Sequence, residues 1–144
     1  MKGVILMLFK ILNNKDLENY ILQEISPIRE MVDLSYIYFS DNNLGSEEGL
    51  YIFMNQQGYH FVYSERGIET THKVTDNLFE ISFWTIRALI SDIESDLLEK
   101  NIGKVKNQRQ YIFEQRLRLL ELVGEDYRKV GEAHINEILR YYPL

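Results

Sequence analysis

Cysteine is absent from this chain of 144 residues, so it can form neither a disulfide framework nor a thiolate metal site. Nothing asks for an oxidising compartment, and a reducing cytoplasm is the expected location. No run of lysines or arginines is dense enough to track a phosphate backbone, and the formal charge is −6, with 22 acidic against 16 basic residues. Direct binding of nucleic acid is therefore disfavoured. The longest apolar stretch, in MKGVILMLFKIL, breaks at Lys10 and is followed by Asn13, Asn14, Lys15 and Asp16 without a small-residue cleavage site. It is too short to span a bilayer, and a buried strand over Gly3–Leu12 is expected instead. The glycine-rich phosphate loop, the nucleophile elbow and the Walker sequence are all missing.

What is present suits one globular domain over residues 1–144: 45% of the residues are hydrophobic and 12% aromatic. Leu17, Tyr20, Ile21, Ile25 and Ile28 recur at helical spacing after the polar cluster Asn13–Asp16, which can cap a helix. Pro27 interrupts that pattern and can open a second short helical piece. Leu34–Ser40, LSYIYFS, reads as a strand running into the acidic loop Asp41–Gly49. Leu50–Met54 is apolar on both faces, as a central strand should be, whereas Tyr59–Ser64 and Ile68–Val74 alternate. Asn55–Gly58 and Glu65–Gly67 are the turns, with Gly58 and Gly67 able to supply positive φ. The fold class is thus α+β: an antiparallel meander of about four strands packed against three or four helices, with the C-terminal half all-helical. Residues 1–49 hold the N-terminal helix and strand, 50–74 the meander and 77–142 the helical part.

A long helix is expected from Asn77 to about Lys100, with Phe79, Phe83, Ile86, Ile90, Ile93 and Leu97 on one stripe. Its first half adds Ile81, Trp84 and Leu89 off the stripe and should be buried nearly all round. Its second half sets Asp92, Asp96 and Glu99 on the opposite face, either simply solvated or placed to receive a basic partner. A third helix, Asn107–Val123, carries Arg109 and Arg116 within its apolar arc. A guanidinium there is costly without a carboxylate, so Arg109 at least should pair with Glu94, Asp92 or Asp76, unless both arginines snorkel to water along the border. The last helix, Glu125–Tyr141, offers Tyr127, Val130, His134, Ile138 and Tyr141 as its inward face, and Pro143 marks its stop.

Candidate chemistry is sparse. The three histidines are His60, His72 and His134, and no pair has metal-ligand spacing. His60 and His72 sit on neighbouring strands and could meet, making with Glu69 or Glu65 a site for zinc or a general base; the commoner arrangement is a pair that merely covers the sheet. Tyr36, Tyr38, Tyr51, Tyr59 and Tyr63 are either interface anchors or half-buried core. On these residues alone the chain is a scaffold with neither a catalytic nor a metal motif.

Four stretches nevertheless carry a resemblance: Gly58–Gly67 (GYHFVYSERG), the aromatic helix start Phe79–Trp84, RQYIFEQRLRLL from Arg109 to Leu120, and EILRYYP from Glu137 to Pro143. In order and spacing they resemble immunity protein family sixty-three of the bacterial polymorphic-toxin systems, over roughly residues 48–144. The resemblance implies a cytoplasmic, non-enzymatic inhibitor without a cofactor, of the kind found in contact-dependent inhibition. Such an inhibitor binds the C-terminal domain of a cognate toxin and occludes its active site or substrate path. Many such toxins are nucleases with basic clefts, and an acidic partner is drawn to them rapidly. The expected contact surface is the loop with Asp41, Glu47 and Glu48, the turn with Glu65 and Arg66, and the carboxylate face Asp92, Asp96 and Glu99. Arg66 could instead pin the meander to a helix. The rivals are an adaptor or oligomeric structural domain, in which a free strand edge pairs two copies, and a small enzyme built on His60 and His72.

Overall fold

The computed structural model describes residues 11–144, which fall into two compact units, one of residues 11–23 and Ser35–Ser82, the other of Glu24–Leu34 and Phe83–Leu144. The expected strand over Gly3–Leu12 lies outside the described residues except for Ile11 and Leu12, which have no regular structure.

In the first unit, helix α1 (Asn14–Glu24) begins where the Asn13 side chain accepts the backbone N–H of Asp16, an orphan donor of the first turn, while the Asp16 side chain accepts the N–H of Leu12 just before the cap. Leu17 and Ile21, one turn apart, are fully buried. Asn14 also accepts the backbone N–H of Met54, which ties the helix start to the sheet at 2.8 Å. Among the described residues the sheet has four strands, in the order β1 (Ile37–Tyr38), β2 (Gly49–Asn55), β3 (Gly58–Glu65) and β4 (Ile68–Thr75). Leu50, Tyr51, Ile52 and Phe53 are all buried, as expected of a strand covered on both faces. Among the described residues β4 pairs on one side only, and it is exposed along most of its length.

The expected antiparallel meander needs correction, because the sheet is mixed. β2, β3 and β4 are antiparallel, but β1 pairs with β2 in parallel, Ile37 beside Leu50 and Tyr38 beside Tyr51. Parallel neighbours need a connection that returns the chain to the starting end, and the loop between Tyr38 and Gly49 supplies it. Of the aromatic stretch Leu34–Ser40 only two residues join the ladder. At the loop's end Gly49 has φ 153°, and a Cβ there would lie 2.4 Å from the Tyr36 carbonyl oxygen, so only glycine lets the chain enter β2 this close to β1.

In the second unit, a 3₁₀ turn at Ser26–Met31 has proline in its first turn, and Ile25 and Ile28 are buried. Helix α2 (Leu78–Lys100) starts in the first unit, where Asn77 caps it by accepting the N–H of Glu80, and the boundary falls between Ser82 and Phe83. Every residue from Ile81 to Ile90 is buried or half-buried; the exposed positions are Glu80 in the first turn and several from Ser91 onward. After a 3₁₀ turn at Ile102–Lys104 come α3 (Gln108–Val123), capped by the Asn107 side chain on the N–H of Gln110, and α4 (Glu125–Tyr141). The C-terminal half is all-helical. With four α-helices and two 3₁₀ turns among the described residues, helical segments outnumber the three or four expected.

The inward face of α4 is rotated from the expected one. Tyr127, Gly131 and Ile135 are buried at successive i+4 steps, while His134 and Tyr141 are exposed and Ile138 largely so. Gly131 is the reason: a Cβ at this position would come within 2.2 Å of Leu120 Cδ1, so the bare glycine lets α4 settle against α3 along that line. Tyr127 stacks on Phe83 and donates its hydroxyl to Glu24 at 2.8 Å.

Candidate functional site

In an antiparallel ladder, directly opposed residues share a face of the sheet. One face therefore carries Tyr51, Val62 and His72 in one row and Phe53, His60 and Val74 in the next. Tyr51, Phe53 and Val62 form a buried cluster on it, with Tyr38 and Leu44 packed against them. Leu44 belongs to the acidic loop, so the loop covers this face and is anchored by its one apolar residue.

A second anchor is polar. The Tyr51 hydroxyl lies 2.5 Å from the Glu47 carbonyl and 2.9 Å from that of Asn43, and backbone bonds from Ser46 and Glu47 to Asn43 close the loop on itself. Burial, then the neighbouring Tyr38 and Glu47, raise the Tyr51 phenol above its usual value, so it remains a donor. Replacing Tyr51 with Phe should cost about 1 kcal/mol by chemical denaturation and speed hydrogen exchange within residues 43–47, while the rest of the sheet is unchanged.

The loop and the β3–β4 turn come together. Gly49 is opposite Ser64, which places Glu48 and Glu65 beside this pair, and a Cβ on Gly67 would lie 3.7 Å from the Gly45 carbonyl oxygen. Asp41, Glu47, Glu48, Glu65 and Arg66, five of the residues expected at a contact surface, are all exposed in the first unit. Asp92, Asp96 and Glu99 are exposed on α2 within the second unit.

Arg66 has φ 54° and Gly67 φ 78°, so both central residues of this two-residue hairpin are left-handed, as a type I′ turn requires. Asparagine or glycine is the usual first residue there; arginine is strained by about 1 kcal/mol. Arg66 has no ion-pair partner among the described residues, so no acid pins it. Arg66→Gly should raise stability by up to about 1 kcal/mol in denaturant melts. If the turn is a contact, the same change should weaken binding.

His60 and His72 do meet, His60 Nδ1 lying 2.9 Å from His72 Nε2. The carboxylate that joins them is Glu69, 3.0 Å from His72 Nδ1, because a bulge between Tyr63 and Ser64 turns Glu69 to the same face. Asn55 completes the row at 2.8 Å from His60 Nε2; sequence reading had assigned Asn55 only to the turn. His60 is buried and stacked on Phe53, with ring centroids 4.6 Å apart. Burial, then the charge of His72, push its imidazole below the ordinary 6.5, and Asp41 partly offsets them. Among the described residues no group of His, Asp and Glu is placed to hold a metal ion, and no helix is long and apolar enough to cross a membrane.

In the second unit, Glu94 is 2% exposed and accepts two bonds from Arg116, Nε to Oε2 at 2.9 Å and a terminal nitrogen to Oε1 at 3.0 Å. Arg87 stands 3.8 Å from the same carboxylate. Arg109, expected to meet Glu94, Asp92 or Asp76, instead donates to the backbone carbonyl of Tyr142 at the end of α4. Both Arg109 and Arg116 lie over the Phe113 ring.

The described residues thus present an exposed charged loop and turn on an α+β scaffold. The chain belongs to the Immunity protein 63 family, whose sequence model matches residues 55–137, from the β2–β3 turn almost to the end of α4. That membership places it among toxin-immunity proteins. No curated protein matches it. No solved structure matches it either.

Proposed function

We propose that this chain is the cytoplasmic antidote of a polymorphic-toxin system, and that it binds the C-terminal domain of its cognate toxin and occludes the active site or substrate path without itself catalysing a reaction. Family membership is the observation that carries the reading. Supporting it, Asp41, Glu47, Glu48, Glu65 and Arg66 are exposed on a loop and a turn that approach each other at Gly45 and Gly67, the loop being anchored over a buried cluster. Together with the net charge of −6, this suits a basic toxin, such as a nuclease with a cationic cleft. Asp92, Asp96 and Glu99 offer a further acidic face for the same partner. The test is co-purification of the chain with the toxin domain encoded immediately upstream. A stable one-to-one complex that blocks the toxin's activity in vitro supports the reading, and two proteins that elute separately at micromolar concentration contradict it.

A second reading, an oligomeric structural domain, draws on the open β4 edge, whose outer side no strand covers among the described residues. A dimer by light scattering that is lost on Thr71→Pro would favour it.

A further inference from the structure

The row Asn55–His60–His72–Glu69 can be read by counting protons. Asn55 Oδ1 also accepts the backbone N–H of Gln57 at 2.8 Å, which fixes the oxygen rather than the amide nitrogen toward His60. His60 Nε2 must therefore carry a hydrogen. At the other end Glu69 accepts, so His72 Nδ1 must carry one too. The 2.9 Å contact between the rings needs a third. Two neutral imidazoles hold only two hydrogens on their four nitrogens.

We propose that Asn55, His60, His72 and Glu69 form a one-proton fastening of β4 to β3, complete only while the two imidazoles together carry a single positive charge. A proton on Glu69 would also complete the count, but a half-exposed carboxyl holds a proton far less tightly than an imidazole near pH 6. The charge sits on His72, whose side chain is 38% exposed beside Glu69, and not on buried His60 stacked flat on Phe53. Asp41 from the covering loop is the other charged group acting on His60; Val74, opposite it on β4, is uncharged.

The arrangement fails in both directions. Removing the third proton at high pH leaves one of the three contacts without a hydrogen. Adding a fourth at low pH sets two N–H groups face to face and breaks the link between β3 and β4. The sign at the acid end follows from His60: its folded value lies below its unfolded one, so the stability its neutral form confers is complete above about 6.5 and is lost as pH falls toward the folded value. Both transitions fall in the range in which histidines titrate, about pH 5 to 8. The fastening rests on the sheet's geometry alone and stands whether or not the chain neutralises a toxin.

The test is long-range ¹⁵N–¹H spectroscopy of histidine-labelled full chain across that range, with His134 as the internal reference. Near pH 6 His60 should be the neutral Nε2–H tautomer and His72 doubly protonated. Glu69→Gln, at a half-exposed site, removes the carboxylate that accepts from His72 Nδ1 and should change the ring-nitrogen signals of His72, with those of His60 moving in step. A His60 ring protonated only on Nδ1, or a Glu69→Gln variant with unchanged signals at both rings, overturns the proposal.

Discussion

Arg116→Ala should destabilise the second unit by about 3–5 kcal/mol, because it leaves the Glu94 carboxylate buried with only Arg87, 3.8 Å away, to answer its charge. Two effects add in the same direction. The bidentate bonds at 2.9 and 3.0 Å disappear, and the guanidinium over the Phe113 ring goes with them. Arg116→Lys keeps the charge but cannot reproduce the planar fork, so it should recover only part of the loss. A double replacement, Glu94→Leu with Arg116→Met, removes both charges from a largely buried site and should be much closer to the parent than either single change. Urea unfolding of the four proteins measures this directly. If Arg116→Ala is neutral, the pair is solvated and the helices are held by apolar packing alone.

The second large effect concerns binding. Reversing charge at Glu47, Glu48 and Glu65 together should slow association with a basic toxin domain by about 10- to 1,000-fold at low salt. The three side chains are exposed, so stability should change little, and the deficit should shrink as salt rises. Reversing Asp92, Asp96 and Glu99 on α2 serves as the comparison, since the larger of the two deficits marks the face that meets the toxin. Stopped-flow association of the four combinations separates them. If neither triplet alters the rate or its salt dependence, recognition does not run through these carboxylates.

The sequence exposed the scaffold more readily than the site, for physical reasons. Burial on both faces was legible in Leu50–Phe53 because four successive apolar residues can be satisfied only by cover on each side. The buried and half-buried stretch Ile81–Ile90 of α2 was legible for the same reason. The direction of β1 was not, since Ile37 and Tyr38 have equal propensity for either pairing and the path of the 39–48 loop decides it. The inward face of α4 was misjudged because large residues were given weight over Gly131, whose contribution is the absence of a side chain. An arginine needing an acid was also readable, but the choice between Arg109 and Arg116 depends on which one stands opposite Glu94, information that lies in the helix packing. Asn55 joined the histidine row without warning, as turn chemistry explains an Asn-Gln-Gln-Gly sequence completely on its own.

Co-expression bears most directly on the claim that the exterior of this chain silences a toxin. Bacteria carrying the toxin domain encoded immediately upstream would be grown with the parent chain, with the Glu47/Glu48/Glu65 charge reversal, or with neither. Growth restored by the parent and reduced by the reversal, at equal cellular levels of both proteins, is the expected result; growth arrest that the parent chain cannot relieve would contradict the account.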